Sequence, residues 1–240
     1  RTPDMLEALL FDLDGTLTDT DNLHLLALQQ LLREEGRELT EAEFDAHVSG
    51  RANADLCRYL FPDRPLAAHQ AFADLKEARF RALSPTLQPT AGLLRLLEHA
   101  ERHGIGMAVV TNAPRANAEH MLEAMALGGR FEHVLVAEEL ARAKPDPLPY
   151  LTGLERLGTR AAHALAFEDS VPGVTAASAA GIFTVGISTS QSAEALQAAG
   201  AQLVVADFED ARLWELIQAR RVGAGLAGDR PHSGRNPDDA

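Results

Sequence analysis

An apolar run near the N-terminus stops abruptly at a carboxylate, and this stop constrains the fold more than any other feature of the chain. The run covers residues 6–11 and ends at Asp12, within the segment Phe11–Asp19, which reads FDLDGTLTD. This pattern predicts a buried strand that ends at Asp12. In open α/β sheets, ligands bind at the carboxyl ends of the strands, so we expect Asp12 to lie at a binding site.

Taken alone, the acidic turn after this run has two other interpretations, a structural turn and a calcium-binding loop. An EF-hand loop places Gly at its sixth position, whereas Gly15 is the fourth residue counted from Asp12. A catalytic role is favoured by further polar segments, of which the first and last also follow apolar runs: Thr111-Asn112, Lys144-Pro145-Asp146-Pro147 and Glu168-Asp169-Ser170.

Strand-like runs alternate with amphipathic helical patterns over most of the chain. The runs are residues 6–12, 105–111, 133–137, 164–168, 182–187 and 202–206. Repeated strand–helix alternation predicts parallel strands joined by right-handed crossovers. We therefore expect an α/β fold with a doubly wound, Rossmann-like parallel sheet.

One interval, between Thr20 and about Ser84, breaks the alternation because it contains no convincing strand. Helical patterns cover residues 23–35, 41–48, 52–60 and 66–83 instead. Pro85 and Pro89 follow, and their position is typical of a connector. A helical block inserted directly after the first strand predicts an α-helical cap domain.

These patterns predict a division of the chain into three parts. The α/β core domain would comprise residues 1–20 and 88–220, and the helical cap domain residues 21–87. Residues 221–240 are rich in Gly, Pro, Asp and Arg. We expect them to form a disordered tail.

The charge balance bears on partners and location. The 240 residues carry a formal net charge of −13, which disfavours nucleic acid and anionic membrane surfaces as partners. The same acidity suits local recruitment of a divalent cation. No apolar run approaches a membrane span in length, no signal peptide is visible, and the single Cys57 excludes an internal disulfide. These features predict a cytoplasmic protein.

Together, the four polar segments resemble the four signature motifs of the haloacid dehalogenase-like hydrolase superfamily. The helical insertion resembles the C1-type cap of its subfamily I, as in the β-phosphoglucomutase and phosphoglycolate phosphatase branch. The resemblance covers roughly residues 5–220. It implies a monomeric, Mg²⁺-dependent phosphatase that hydrolyses a small phosphorylated metabolite through an aspartyl-phosphate.

The resemblance also implies roles for the acidic residues. Asp12 would be the nucleophile, since a carboxylate can split a difficult hydrolysis into two steps. Mg²⁺ would be held by the Asp12 side chain, the Asp14 backbone carbonyl and the Asp169 side chain, with Glu168 as an auxiliary acid. Asp14 would protonate the leaving alcohol and then activate water. Nearby negative charge is expected to raise the pKa of Asp14.

The second and third motifs supply polar groups for the phosphate. The Thr111 hydroxyl can donate to a phosphate oxygen, and Asn112 follows it; the alternative is a pair that caps the next helix. Lys144 precedes Pro145 and is therefore extended. It would neutralise both Asp12 and the phosphate, and the alternative is an ordinary solvated lysine.

Thr20 and His24 lie eight and twelve residues after Asp12, where the β-phosphoglucomutase branch has a Thr and a His that helps to orient the general acid. Alternatively, His24 only packs within the cap. Both residues are expected to contribute to the substrate site.

Residues 49–53 of the predicted cap resemble the substrate-contact loop of the family. We expect Gly50, Arg51 and Asn53 to bind substrate, with Arg51 clamping a second anionic group unless it is a plain surface arginine. A β-phosphoglucomutase has Lys at the position of Ser49 and Arg at that of Asn53. Their loss favours a phosphatase over a mutase, which is the alternative function.

A third possibility is a receiver-type phosphoacceptor domain, which also uses Asp, Mg²⁺, Thr and Lys on a doubly wound sheet. Asp14 and the helical insertion argue against it, because a receiver needs its aspartyl-phosphate to persist.

Overall fold

The computed structural model describes residues 5–225, and within them six strands form one parallel sheet. The strands are β1 (Ala8–Phe11), β2 (Gly106–Thr111), β3 (His133–Val136), β4 (Ala164–Glu168), β5 (Phe183–Ile187) and β6 (Leu203–Val205). Their order is β3-β2-β1-β4-β5-β6, and every neighbouring pair is parallel. The predicted doubly wound α/β fold is confirmed.

The sheet is covered on both faces, which explains why β1 is apolar throughout rather than alternating. Leu9 and Phe11 belong to one hydrophobic cluster, and Ala8 and Leu10 belong to the cluster on the opposite face. The Phe11 ring stacks on that of Phe167 in the paired strand β4, with ring centroids 4.9 Å apart. This packing fixes the register of β1 against β4, and therefore the position of the residues that follow each strand.

Ten α-helices lie in the described part of the chain. They are α1 (Asp21–Glu34), α2 (Glu41–His47), α3 (Asn53–Leu60), α4 (Leu66–Leu83), α5 (Leu93–Arg102), α6 (Arg115–Ala124), α7 (Leu148–Arg156), α8 (Val171–Ala179), α9 (Ala193–Ala199) and α10 (Ala211–Gly225). None of the helices in this range is both long and apolar enough to cross a membrane.

The last helix runs further than the sequence predicted. Helix α10 continues to Gly225, whereas the disordered tail was expected to start at residue 221. The helix packs on the sheet through Leu213 and Ile217, and residues 218–221 are good helix formers that extend it. The remainder of the predicted tail, residues 226–240, lies outside the described residues.

Helices α1–α4 form a helical block with its own hydrophobic cluster. Leu28, Leu32, Phe44, Leu60 and Phe72 are buried in this cluster. The four helical stretches expected between Thr20 and Ser84 are all present, within two residues of their predicted bounds.

The two connections between the helical block and the sheet run side by side. Thr18 Oγ1 donates to the carbonyl of Gln88 at 2.7 Å, and Thr90 Oγ1 donates to the carbonyl of Thr16 at 2.8 Å. These hydrogen bonds tie both connections to the turn after β1. The helical block is thereby held over the carboxyl end of the sheet.

Candidate active site

Four charged residues from three separate segments meet at the carboxyl ends of β1 and β4. Lys144 Nζ donates to Asp12 Oδ1 at 2.8 Å and to Glu168 Oε1 at 2.5 Å. Burial alone would lower the pKa of Lys144, but the two carboxylates outweigh it and hold that pKa above its ordinary value. The alternative of a solvated lysine is wrong, because Lys144 is 2 % exposed.

Asp12, Glu168 and Asp169 form a buried acidic cluster whose carboxylate oxygens lie within 4.8 Å of one another. Burial, with the charge of Asp12 added to it, raises the pKa of Glu168 to about 8 and raises that of Asp169 as well. Within the described residues, Glu168 Oε2 has no hydrogen-bond partner. Three buried carboxylates face one lysine, so the cluster has the donor chemistry and the charge deficit of a divalent-cation site.

Gly15 allows the turn after β1 to lie close to the Asp169 side chain. Its φ is +74°, and a Cβ built on it would lie 2.0 Å from Asp169 Oδ2. Any larger residue would therefore push Asp169 away from Asp12.

Two hydroxyl groups that were not among the predicted site residues complete the surroundings of the cluster. Thr16 Oγ1 lies 3.3 Å from Asp12 Oδ2 and 3.5 Å from Asp169 Oδ1, and Ser190 Oγ donates to Asp169 Oδ2 at 3.1 Å. Thr16 lies inside the first motif, so its place beside the cluster could have been predicted from the sequence. Ser190 follows β5, and its sequence context did not indicate its contact with Asp169.

Asp14 is held by the two residues that the sequence placed at the substrate site. His24 Nε2 lies 2.6 Å from Asp14 Oδ1, and Thr20 Oγ1 donates to the same oxygen at 2.7 Å. Burial raises the pKa of Asp14, but the charge and hydrogen bond of His24 outweigh it, and the pKa falls below its ordinary value. The expectation of a raised pKa is wrong, because His24 contacts Asp14 directly.

Thr111 and Asn112 end β2 beside this cluster. The Thr111 hydroxyl accepts from the Ala113 N–H at 3.0 Å and keeps its own proton for donation. The Asn112 side chain instead binds protein backbone: its Nδ2 donates to the Gly50 carbonyl at 3.0 Å, and its Oδ1 accepts from the Lys144 N–H at 3.1 Å. Asn112 therefore links the helical block to the core.

The helical block and the core enclose a cavity of about 60 Å³. The core contributes Asp12, Asp14, Thr111, Asn112 and Asp169 to its lining, and the helical block contributes His24, Gly50, Arg51, Asn53, Lys76 and Glu77. Thr20 reaches it only through Asp14.

Gly50 and Arg51, both predicted to bind substrate, differ in their contacts with the rest of the protein. Gly50 has a φ of +73°, and a Cβ on it would lie 2.4 Å from Ser170 Oγ, so the block rests directly on the core there. Arg51 is exposed, and its Nη2 lies 3.5 Å from the Ala46 carbonyl.

Asn53 belongs to a buried polar network that the sequence analysis missed. Lys76 Nζ donates to Glu77 Oε1 at 2.6 Å and to Asn53 Oδ1 at 3.2 Å, and Asn53 Nδ2 donates to Glu77 Oε1 at 2.8 Å. Asn117 Nδ2, from α6 of the core, donates to Glu77 Oε2 at 2.5 Å. Burial raises the pKa of Glu77, but Lys76 outweighs it, and the pKa lies below its ordinary value.

The network could have been predicted from the residues that recur on one face of α4. The buried positions of α4 are His69, Phe72, Ala73, Lys76, Glu77 and Phe80. Two adjacent charged residues on a mostly apolar helix face indicate that these charges have buried partners.

Comparison with known proteins agrees with this geometry. The family model described as haloacid dehalogenase-like hydrolase matches residues 9–187. The chain belongs to this family of hydrolases. The match includes all four polar segments and the whole helical block.

Characterised relatives include both a phosphatase and a mutase. The chain is 30% identical over 223 residues to validoxylamine A 7'-phosphate phosphatase of Streptomyces hygroscopicus subsp. limoneus, covering 87% of this chain and 97% of the relative. It is 31% identical over 245 residues to β-phosphoglucomutase of Mycobacterium bovis, covering 87% and 92%.

Among solved structures, CbbY from Rhodobacter sphaeroides in complex with phosphate matches with a TM-score of 0.78 and 26% identity, over 86% of this chain and 96% of that one. Membership of this family argues against the third possibility, a receiver-type phosphoacceptor domain.

Proposed function

We propose that this hydrolase is a Mg²⁺-dependent phosphatase of small phosphorylated metabolites that acts through an aspartyl-phosphate on Asp12. The proposal depends above all on one observation: Asp12 is held by Lys144 at 2.8 Å and faces a cavity that also contains Asp14. Relatives that are phosphatases support the class of reaction.

In the first step, an oxygen of Asp12 attacks phosphorus, and the bond from phosphorus to the alcohol oxygen breaks. Lys144 orients Asp12 and offsets negative charge as the phosphoryl group approaches. The Thr111 hydroxyl donates to a phosphate oxygen. Asp14, protonated at this stage, gives its proton to the departing alkoxide, and the alcohol leaves.

In the second step, water attacks the aspartyl-phosphate, and its proton passes to Asp14. The bond between phosphorus and Asp12 breaks, which restores the carboxylate and releases phosphate. Between the two steps Asp14 is ionised, which is the form that its lowered pKa favours and that serves as the base, and His24 and Thr20 fix its orientation. In this proposal His24 and Thr20 are positioning residues.

Asp12 and Asp169 would hold the Mg²⁺ ion, together with the Asp14 backbone carbonyl, and Glu168 would support them. When bound, the ion would balance the buried carboxylates and reduce the repulsion between Asp12 and phosphate. The free oxygen of Glu168 and the raised pKa values in the cluster support this assignment.

We further propose that residues 21–87 act as a cap over a core of residues 1–20 and 88–220. The Asn112–Gly50 hydrogen bond and the seat of Gly50 on Ser170 describe a closed arrangement that would exclude water during transfer. Gly50, Arg51 and Asn53 would face the alcohol portion of the substrate. The cytoplasmic location and the monomeric state stay predictions from the sequence.

The mutase is the alternative, and the helical block argues against it. A mutase must hold a bisphosphate in two orientations, which requires cations in the cap. At the two positions where a β-phosphoglucomutase has cations, this chain has Ser49 and Asn53, and the Asn53 amide is bonded to Lys76 and Glu77.

The test is phosphate release from a panel of phosphorylated metabolites, with Mg²⁺ and with EDTA. We expect release that needs the metal, disappears in Asp12→Asn and persists in Asp19→Asn, an exposed acid of the same segment. Conversion of glucose 1-phosphate to glucose 6-phosphate with a bisphosphate primer, without release, would instead establish the mutase. Release that is unaffected by Asp12→Asn would refute the proposed nucleophile.

A further inference from the structure

Asn117 lies on α6 of the core and bonds two residues of α4 in the helical block. Its Oδ1 accepts from Arg81 Nη1 at 2.6 Å, and its Nδ2 donates to Glu77 Oε2 at 2.5 Å. Asn117 is completely buried, and it does not line the cavity above Asp12. Any effect of Asn117 on the site must therefore pass through the residues of α4 that it bonds.

The side-chain amide of Asn117 fits this contact in one orientation. The guanidinium of Arg81 has only donors, and the Glu77 carboxylate, whose pKa lies below its ordinary value, has only acceptors. The reverse orientation would place donor against donor and acceptor against acceptor. Glu77 and Arg81 are four residues apart, so they lie one turn apart on the same side of α4. The contact of Asn117 with Glu77 and Arg81 is called the Asn117 clasp below.

The other oxygen of Glu77 holds two residues that face the cavity above Asp12. Glu77 Oε1 accepts from Lys76 Nζ at 2.6 Å and from Asn53 Nδ2 at 2.8 Å. Lys76 and Asn53 both belong to the helical block, and both line that cavity. One carboxylate thus joins α6 of the core to two polar side chains in the lining of the candidate site.

A second contact between α4 and α6 lies at the connection from the helical block to the sheet. His120 Nε2, on α6, donates to the carbonyl of Ser84 at 2.7 Å, and Ser84 directly follows α4. Glu77 lies seven residues before Ser84, which is about 10 Å along a helix. A rotation of the helical block about Ser84 would therefore preserve the contact with His120 and would separate Glu77 from Asn117.

We propose that the Asn117 clasp holds the helical block in its closed position on the core, and that Asn117 is thereby a positioning residue for Lys76 and Asn53. Hydrogen bonds to charged groups are strong and depend on geometry, so only one seat of α4 on α6 satisfies Glu77 and Arg81 together. The inference rests on the proposed function, in which residues 21–87 close over the site, and it deepens that proposal by naming the contact that sets the closed position.

An exchange of donor and acceptor within the clasp tests this role. Asn117→Asp places a carboxylate against Glu77, and Glu77→Gln places an amide donor against the Asn117 amide, so each single variant breaks the contact. In the double variant Glu77→Gln/Asn117→Asp, the introduced amide donates to the introduced carboxylate. Arg81, Lys76 and Asn53 then all keep an acceptor, and the net charge equals that of the native protein.

Small-angle X-ray scattering of the substrate-free protein measures closure without the reaction. We expect a larger radius of gyration in each folded single variant and the native radius in the double variant. Asn22→Asp makes the same change in the first turn of α1, and Glu98→Gln removes the same charge from α5; both sites are exposed, and both controls should keep the native radius. Native radii in the single variants, or an equally expanded double variant, would overturn the inference.

Steady-state kinetics tests whether the clasp also positions the site. A smaller closed fraction weakens apparent binding, so each single variant should raise KM at least about three-fold with little change in kcat. The double variant should recover the native KM. A fall in kcat with an unchanged KM would indicate a loss of folded enzyme and would contradict a positioning role.

Arg81→Met keeps the test valid if the other variants do not fold. Arg81 is half-buried, and its replacement leaves Asn117 Oδ1 without the donor that it has in the clasp. The radius of gyration of this variant should also exceed the native value, and a native radius would overturn the inference. If no metabolite gives phosphate release that depends on Asp12, the proposed function fails, while the scattering result still decides whether the clasp holds the closed position.

Discussion

The hydroxyl of Tyr150 donates to Oε1 of Glu168 across 2.5 Å, deep beneath the acidic cluster. Both side chains are fully buried, and Lys144 Nζ donates to the same oxygen. Two donors on one oxygen fix the carboxylate plane and leave Oε2 without a partner in the described structure. Tyr150 is therefore a positioning residue, which acts on the site through Glu168 and Lys144.

Tyr150→Phe should lower kcat/KM about ten-fold, which corresponds to a loss of about 1.4 kcal/mol. The variant removes one donor to a charged acceptor while the ring still fills the core. It should also raise the Mg²⁺ concentration needed for half-maximal activity, a readout that a purely structural role would leave unchanged. Tyr59→Phe, at an exposed tyrosine of α3, is the matched control. Equal activity and metal dependence in the two variants would contradict the prediction.

The fold was predictable because apolar runs of strand length and helical repeats of apolar residues are both clear in this sequence. Residues 8–11 are apolar without alternation, and so short a run that ends at a carboxylate predicts a strand covered on two faces. The end of α10 was not predictable in the same way. The change in composition after residue 220 resembles a tail, whereas residues 218–221 extend a helix that Leu213 and Ile217 anchor.

The acidic cluster was predictable because each member lies at the end of a strand or directly after it, and parallel strands bring their carboxyl ends together. Asp12 and Lys144 are 132 residues apart and still meet as the motifs predicted. Tyr150 and Glu77 were not found, because their partners depend on how helices pack against the sheet. The pKa of Asp14 was misjudged for the same reason: its neighbours in sequence are acidic, but His24 lies 2.6 Å from it.

His24→Asn should lower kcat ten- to hundred-fold with little change in KM. The His24 ring stacks on Phe80 with centroids 3.9 Å apart, and this contact holds Nε2 against Asp14. Without it, Asp14 loses the orientation that general acid–base catalysis requires. The control is His47→Asn, at a histidine of α2 outside the site, and its kcat and KM should equal those of the native enzyme. A rise in KM with an unchanged kcat would mean that His24 binds substrate instead of positioning Asp14.

Gly50→Ala and Gly36→Ala form a matched pair. Both glycines have a φ of +73°, so each substitution should cost roughly 1–2 kcal/mol of folding free energy. Only Gly50 faces Ser170, where a Cβ would lie 2.4 Å from Oγ, while nothing lies within 4 Å of a Cβ at Gly36. Gly50→Ala should therefore raise KM several-fold, because the cap cannot seat fully.

Urea unfolding and steady-state kinetics of both glycine variants distinguish the effect of backbone strain from the effect of impaired closure of the cap on the core. Similar losses of stability with a kinetic defect confined to Gly50→Ala are the expected outcome. A kinetic defect of the same size in Gly36→Ala would show that strain alone is responsible. In that case the Gly50–Ser170 contact would have no part in closure.

The Glu77 network should make stability depend on pH in a defined direction. The pKa of Glu77 lies below its ordinary value of 4.5, since Lys76 outweighs the effect of burial. A carboxylate with a depressed pKa stabilises the fold above its unfolded pKa, and this contribution is lost as pH falls through the folded pKa. The free-energy difference between native protein and Glu77→Gln should thus be constant from pH 7 to about pH 5 and shrink below pH 4.5. Urea unfolding across this range measures it, with Glu98→Gln as the control, and a difference that grows on acidification would contradict the assigned charge of Glu77.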